Sequence, residues 1–282
     1  GCRSGVGVPW GQGDSHLLRW YLYEARLERS RLSLRMGKPP AEVAGEWGSV
    51  IEEGETPEAL LAGATLLTEI GEREGARSAA ERAAAHADAG PEHTVRAARV
   101  LMSLGSTADA TDLLAGIEDR DVRTPELARS IGTAWATAGN RDRARQTFEA
   151  GIERLPESAG LREAIGLLSL VGGDGDGAIE AYSEAIELAA DNPFALAGVG
   201  ESMVRAGLGS RNQQVYELGV EAMGRAAQES GSAVLHHDFG QALLAAGRWQ
   251  EGREAIEEAA SITPENAAIA QALAAVRARL GP

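Results

Sequence analysis

The sequence predicts an all-α fold, a solenoid of stacked helix-turn-helix pairs, and three observations support this prediction. A pattern recurs every 34 residues from Pro57 to residue 266, and a period of this length is typical of helix-pair repeats. Small residues recur at two fixed positions of each period. Alanines spaced around one bulky residue follow them, as on the apolar face of a second helix.

The repeated segment divides into six units, five of them 34 residues long and one about six residues longer. The units occupy residues 57–90, 91–124, 125–158, 159–192, 193–232 and 233–266. The extra residues of the fifth unit lie at Leu208–Tyr216. This insert predicts either a second contact surface or a longer loop without a role.

Two positions of each unit carry the small residues. Position 8 is Ala64, Ala98, Gly132, Gly166, Gly200 and Gly240, and position 15 is Gly71, Gly105, Gly139, Gly173, Gly207 and Gly247. A glycine inside a helix costs about 1 kcal/mol relative to alanine, so position 8 predicts the close approach of a neighbouring helix. Position 15 predicts the left-handed residue that ends the first helix.

The second helix of each unit is indicated by positions 20, 24 and 27. In the third unit these are Ala144, Phe148 and Gly151, which share one helical face. Proline at position 1 or 32 marks the turn between units, since proline is tolerated at a helix start.

The residues at these positions resemble the tetratricopeptide repeat family. The best matches are Ile131-Gly132, Trp135, Ala144, Phe148 and Pro156, then Phe239-Gly240, Ala259 and Pro264. The sequence departs from the family pattern at position 8 of the first two units, which is alanine, and at position 4, which lacks tryptophan. The resemblance implies a right-handed superhelical α-solenoid that binds a protein or peptide and carries no catalytic site.

The resemblance also implies which residues line the binding groove. They belong to one face of each first helix: Leu61, Thr65, Glu69, Arg99, Met102, Arg129, Thr133, Glu163, Leu167, Leu170, Glu201, Arg205, His237 and Gln241. This mixed lining, apolar around Leu167–Val171, suits an extended peptide or an amphipathic helix. The Lys and Asn with which chaperone-binding members clamp a terminal carboxylate are absent, so that ligand is not expected.

The segments flanking the repeats are predicted to be caps. Residues 14–56 read as a divergent helix pair, whose first helix has the apolar residues Leu17, Leu18, Tyr21, Leu22, Ala25 and Leu32. Trp10, Trp20 and Trp47 fall in the first fifty residues and indicate either cap packing or a docking surface. Residues 267–282 predict a single closing helix. Atypical terminal repeats are the rule in such stacks.

The amino end predicts a lipid anchor. The chain starts Gly1-Cys2 without Met, and a small residue before Cys resembles the end of a bacterial lipoprotein signal. Residues 1–13 are rich in Gly and Ser, as expected of a flexible tether. Arg3, rather than Asp, favours the outer membrane. The alternative is a cloning remnant or domain boundary, with Cys2 an ordinary thiol.

Composition and motifs argue against other classes of function. The net charge of −15 argues against a nucleic-acid partner, which needs a basic stripe. The glycine run 172–177 fails the EF-hand spacing and falls at a turn. His236 and His237 are adjacent and make a poor metal pair, and a single Cys excludes a zinc site of the usual kind. No cofactor, metal or enzymatic activity is expected.

These observations together predict a non-enzymatic protein-interaction scaffold. Its architecture resembles the pilotins, tetratricopeptide repeat lipoproteins that assist assembly of pilus or secretion channels. The expected location is the periplasmic face of the bacterial outer membrane, through lipidated Cys2. The alternative is a soluble cytoplasmic interaction or regulatory module of a larger protein.

Overall fold

The computed structural model describes residues 12–53, 56–117 and 122–280, with the side chains of residues 12–20 and Glu53 left aside. Within these ranges the chain folds as helices without any strand, as the all-α prediction requires. Cys2, Trp10 and the predicted tether up to residue 11 lie outside the described residues, and the last two tether residues begin the first helix. None of the described helices combines the length and apolar character needed to cross a membrane.

The chain forms two compact units, each described here by itself. The first unit comprises residues 1–123 with 137–140, and the second comprises residues 124–136 with 141–282. The helices of the first unit are α1 (Gln12–Arg35), α2 (Pro40–Glu53), α3 (Pro57–Glu69), α4 (Arg73–Ala84), α5 (Pro91–Ser103) and α6 (Thr107–Ala115). The later helices are α7 (Pro125–Thr137), α8 (Arg141–Arg154), α9 (Ala159–Gly172), α10 (Gly175–Ala189), α11 (Pro193–Ser210), α12 (Gln213–Ser230), α13 (Ala233–Ala245), α14 (Trp249–Ile262) and α15 (Ala267–Leu280).

Helices within each unit pack in the order of the chain. A first helix contacts its own second helix and the next first helix, as α3 contacts α4 and α5 in the first unit and α11 contacts α12 and α13 in the second. Each second helix contacts the following first helix, as α10 contacts α11. Within each unit the packing is therefore that of a solenoid of helix-turn-helix pairs.

Glycines at position 8 lie where a helix pair packs most closely. A Cβ atom on Gly132 would approach the Phe148 ring to 2.2 Å, and one on Gly166 would approach the Tyr182 ring to 2.8 Å. Both aromatic side chains are buried. The predicted close approach is confirmed at these positions, because no larger residue would fit beneath the rings.

Glycines at position 15 end five of the first helices as predicted. Gly71, Gly105, Gly139, Gly173 and Gly247 all have φ between 80° and 86°. Gly207 is an exception, and its prediction is wrong: it lies inside α11, where a Cβ would come within 2.6 Å of the Tyr216 backbone nitrogen. The left-handed residue that ends α11 is Arg211, with φ 58°.

The insert at Leu208–Tyr216 lengthens both helices of its pair instead of forming a long loop. Helices α11 and α12 have 18 residues each. Only Arg211 and Asn212 separate them, and the Asn212 side chain caps α12 by accepting from the Val215 backbone N–H. The alternative of a longer loop is therefore wrong.

Arginines of second helices complete the ends of the first helices that follow. In the first unit, the Arg73 guanidinium of α4 donates to the Leu104 carbonyl beyond the end of α5. In the second unit, the Arg141 guanidinium of α8 donates to the Val171 carbonyl near the end of α9, at 3.2 Å. Helix carboxyl ends carry unsatisfied carbonyls and a partial negative charge, so a cation there is stabilising by roughly 0.3–1 kcal/mol.

The outer side of α1 carries the residues that the sequence assigned to its apolar face. Tyr21, Leu22, Ala25 and Leu32 are all exposed. The side that packs inward carries Leu27, which is buried in a cluster with Val43, Trp47, Ala62 and Leu66. The predicted orientation of α1 is therefore wrong, because a second apolar series that includes Tyr23 and Leu34 faces the protein.

Candidate functional site

A cavity of about 370 Å³ lies between α3 and α5 of the first unit. Its lining combines charged, hydroxyl and apolar groups: Leu61, Thr65, Thr68, Glu69, Arg96, Arg99, Val100 and Ser103. We call this site the α3–α5 groove. The structure thus brings four of the predicted groove residues together around one cavity, namely Leu61, Thr65, Glu69 and Arg99.

The floor of the groove is fixed by the α3 backbone. Leu61 lies at the bottom and is almost completely buried. The hydroxyls of Thr65 and Thr68 each donate to the backbone carbonyl four residues earlier, at 2.8 Å. Because these hydroxyl protons are engaged, the oxygens are left as acceptors, which suits a ligand that presents N–H groups.

Two ion pairs with α1 hold charged side chains of the groove in place. The Arg31 Nε atom donates to both carboxylate oxygens of Glu69, at 3.1 and 3.0 Å. Hydrogen bonding to Glu69 raises the pKa of Arg31 further above its ordinary value. Glu69 is therefore already matched by a cation, and its charge is largely compensated before a ligand binds.

The two arginines of the groove differ in their surroundings. The Arg96 guanidinium donates to Glu24 at 3.0 Å, and desolvation by burial lowers its pKa despite that carboxylate. Arg99 is exposed at the rim. The groove therefore offers an accessible cation beside an apolar floor.

A buried polar contact next to the groove sets the spacing of α3 and α5. Glu58 is only 4% exposed, and the His93 Nε2 atom lies 3.2 Å from its carboxylate. The other ring nitrogen, Nδ1, accepts the Gly90 backbone N–H at 3.0 Å, so Nε2 carries the proton that is donated to Glu58. Both hydrogen bonds stabilise the start of α5.

The remaining predicted groove residues lie apart from this cavity. Met102 is half-buried on α5. The others lie on first helices of the second unit, and their exposure is mixed: Arg129, Thr133, Leu167, Glu201, Arg205 and Gln241 are exposed, and Glu163 and His237 are half-buried. Glu201 and Arg205 form an ion pair with each other at 3.4 Å, and Gln241 contacts His237 at 3.3 Å.

The prediction that Leu170 lines the binding groove is wrong. It is only 7% exposed and belongs to the core cluster around Tyr182, so it does not line a surface. Its neighbour Val171 is 61% exposed, and Leu167 is 43% exposed. One residue along a helix turns a side chain by about 100°, which is enough to move it from the surface to the core.

Arg96 and Val100 were missed by the sequence prediction. Both line the groove, but they fall at positions 6 and 10 of their unit, outside the positions that the resemblance assigns to binding. Arg96 reaches the groove because its partner Glu24 lies on α1, in the divergent cap. A repeat pattern carries no signal for a contact made with a helix outside the repeats.

Other candidate sites have structural roles. In the glycine run 172–177, Gly173 is left-handed and the Asp174 side chain accepts from the Gly177 backbone N–H, so the run is a turn that caps α10. Across the described ranges, no group of three or more His, Cys, Asp or Glu side chains is arranged to hold a metal ion.

Helix pairs packed in chain order, with small residues beneath each crossing, define the class of helix-pair repeat proteins. Residues 131–193 match the family model described as tetratricopeptide repeat. The predicted tetratricopeptide repeats are thus confirmed within this segment, and the repeat fold supports a scaffold for protein–protein interaction. A comparison with curated proteins finds no match.

Several solved structures are similar to the chain at low identity. A chain of the APC/C hetero-tetramer Cut9-Hcn1 is 14% identical with a TM-score of 0.41, over 90% of this chain and 52% of that one. This chain therefore spans about half the length of that relative. A tetratricopeptide repeat protein from Parabacteroides merdae is 15% identical, with a TM-score of 0.45 and coverage of 90% and 98%. The C-terminal part of a TPR repeat-containing protein from Cytophaga hutchinsonii is 14% identical, with a TM-score of 0.46 and coverage of 90% and 99%.

Proposed function

We propose that this protein is a non-enzymatic scaffold that binds a peptide segment of a partner protein in the α3–α5 groove. The observation that carries the proposal is the groove itself, with its apolar floor at Leu61 and the exposed cation Arg99 at its rim. The hydroxyl oxygens of Thr65 and Thr68 remain acceptors for backbone N–H groups of such a segment, because their protons are donated to α3 carbonyls. The ligand is a chain with an acidic group placed opposite Arg99.

Site-specific photocrosslinking tests this proposal in cells. A photoreactive residue at Thr68, in the groove, is expected to capture a partner protein. The matched control places the same residue at Glu81, which is exposed on α4. Equal capture from both positions, or capture from Glu81 alone, would contradict the proposal.

Binding of the captured partner segment is then measured with purified components. The change Arg99→Glu reverses the rim cation, so we expect affinity for an acidic segment to fall by at least about tenfold, the effect of roughly 1.4 kcal/mol. Glu81→Arg changes a charge outside the groove and is expected to leave affinity unchanged. Unaltered binding by Arg99→Glu would assign the partner to another surface.

We further propose that Cys2 is lipidated and holds the scaffold at the periplasmic face of the outer membrane, where it assists assembly of a pilus or secretion channel. The support is in the sequence: Gly1-Cys2 followed by a segment rich in Gly. The codons that precede Gly1 are a direct test. A basic stretch, an apolar run and Leu-x-Gly before Cys2 would support a lipoprotein, whereas a folded domain there would indicate a module of a larger protein.

A further inference from the structure

The outer side of α1 carries a group of large apolar side chains that the described structure leaves uncovered. Tyr21 is 68% exposed, Leu22 is 65% exposed, Leu32 is 54% exposed and Met36, just beyond the helix end, is 80% exposed. Most apolar side chains of similar size in the first unit are buried, as Leu27 is on the opposite side of α1. We call these four residues, together with Ala25, the outer face of α1.

These residues share one side of the helix. At about 100° per residue, positions 21, 25, 32 and 36 fall within an arc of roughly 60°, and position 22 lies about 40° beyond it. The stripe from Tyr21 to Met36 spans about 22 Å at 1.5 Å per residue. It is therefore a continuous surface and not a set of scattered exposed residues, which would need no explanation.

Two arginines lie beside this stripe and point to the chemistry of its occupant. Arg29 and Arg35 are exposed. Arg29 is near enough to Glu46 to help lower the pKa of that carboxylate, but neither arginine is held in one of the ion pairs of the described residues. Other cations near the cap are matched: Lys38 pairs with Glu46, and Arg31 pairs with Glu69 and with Glu28. Residues 21–36 hold four arginines against Glu24 and the exposed Glu28, so this part of the chain is net positive, on a protein whose net charge is −15.

We infer that the outer face of α1 binds the surface of an anionic lipid bilayer. A helix that presents aromatic and aliphatic residues beside cations is suited to lie in the headgroup region, where its apolar stripe is buried and its guanidinium groups meet lipid phosphates. Tyrosine at the edge of the stripe fits the same layer, because it combines an apolar ring with a polar hydroxyl.

A second copy of the chain is a less favourable occupant. Pairing two outer faces would bring together two surfaces that each carry net positive charge, and like charges at an interface are unfavourable. An anionic bilayer has the opposite charge and no such penalty. The contact does not require lipidation of Cys2, so it stands apart from the proposed anchor and from peptide binding in the α3–α5 groove.

Vesicle flotation of the full 282-residue chain tests this inference, with Cys2→Ser so that no acyl chain contributes. The chain is expected to float with vesicles of equimolar phosphatidylglycerol and phosphatidylcholine, and not with phosphatidylcholine alone. Binding should weaken as salt is raised, because screening reduces the attraction of exposed charges.

Paired substitutions separate the two components of binding. Arg29→Gln with Arg35→Gln is expected to reduce partitioning about 30-fold, the factor that two interfacial cations contribute. Leu22→Ser with Leu32→Ser should reduce it about 100-fold, through loss of buried apolar surface. The matched control is Phe194→Ser with Val234→Ser, which removes two exposed apolar side chains of the second unit and should leave partitioning unchanged.

A fluorescent probe locates the contact. With Leu32→Cys in the Cys2→Ser background, an environment-sensitive label should shift to shorter wavelength on adding anionic vesicles, whereas the same label at Glu81→Cys should not. Absence of flotation, or flotation that is insensitive to the leucine substitutions, would overturn the inference. A wild-type dimer that becomes monomeric with Leu22→Ser and Leu32→Ser, and does not float, would assign the face to a second copy. Arg99→Glu should leave flotation intact, so failure here is distinguishable from failure of the groove proposal.

Discussion

Replacing one glycine at the crossing of α11 and α12 measures how strongly close packing determines this fold. A Cβ atom on Gly200 would lie 2.7 Å from Met223 Cγ, 2.8 Å from the Gly219 carbonyl oxygen and 3.0 Å from the Met223 backbone nitrogen. The same holds in reverse, since a Cβ on Gly219 would lie 2.7 Å from the Gly200 carbonyl oxygen. Backbone atoms cannot rotate away, so Gly200→Ala must push the two helices apart.

The same helix provides a matched control. Gly198 lies two residues away on α11, is exposed, and has no atom within 4 Å of an added Cβ. Both alanine substitutions gain about 1 kcal/mol of helix propensity. Only Gly200→Ala incurs overpacking, which costs about 1–3 kcal/mol. The difference between the two variants therefore isolates the cost of the clash, because the propensity term cancels.

Denaturant unfolding of the full chain, followed by far-UV circular dichroism, provides the measurement. Gly198→Ala is expected to raise the free energy of unfolding by about 0.5–1 kcal/mol. The free energy of unfolding of Gly200→Ala is expected to be about 1–3 kcal/mol lower than that of Gly198→Ala. Tryptophan fluorescence should report the same order of stability. If both variants unfold at the same denaturant concentration, close helix approach does not explain the glycine, and the argument for position 8 fails with it.

Two further predictions follow from buried polar groups. Burial raises the pKa of Tyr182 to about 12, with the Glu163 carboxylate acting in the same direction. The tyrosine of the unfolded chain loses its proton near pH 10, below the folded pKa, so the free energy of unfolding should decline by roughly 2–3 kcal/mol between about pH 10 and 12. Denaturant unfolding at each pH measures this decline. Tyr182→Phe should lack the part of the decline that comes from this hydroxyl. In the cap, the Trp47 Nε1–H donates to the Ser30 hydroxyl at 3.0 Å in a buried site, and Ser30→Ala should cost about 1–3 kcal/mol by leaving that donor unsatisfied. Ser33→Ala, which removes an exposed hydroxyl bonded only to its own helix, should change the thermal midpoint little, and an equal effect of the two substitutions would contradict the assignment.

The repeat period determines what could be predicted from sequence. Small residues at position 8 and left-handed glycines at position 15 have one physical cause each, so a pattern of glycines was sufficient to predict helix pairs and their turns. Gly207 broke the rule because the six extra residues lengthen both helices of its pair. The turn between α11 and α12 is formed by Arg211 and Asn212, and neither residue is a glycine that the pattern could have identified.

Orientation of the cap helix could not be predicted in the same way. Helix α1 has two apolar series, one that includes Tyr23, Leu27 and Leu34, and one that includes Tyr21 and Leu32. Either series satisfies the helical period, and the sequence contains no second copy of this helix to compare. Which side packs inward is decided by the fit to Val43 and Trp47, a tertiary effect. Leu170 is a similar case, because it lies in the core while its neighbour Val171, one residue further along α9, is exposed.

The arginines that reach from a second helix to the end of the next first helix give each unit a direction. Arg73 and Arg141 each stabilise a helix that comes later in the chain. If the later pair detaches, the arginine is merely returned to water, but if the earlier pair detaches, the carboxyl end of a helix loses its cation. Local unfolding within a unit is therefore unequal from its two sides. Fraying from either side breaks the same bond, but fraying from the carboxyl-terminal side leaves a solvated arginine on the folded part, whereas fraying from the amino-terminal side leaves a folded helix end without its cation.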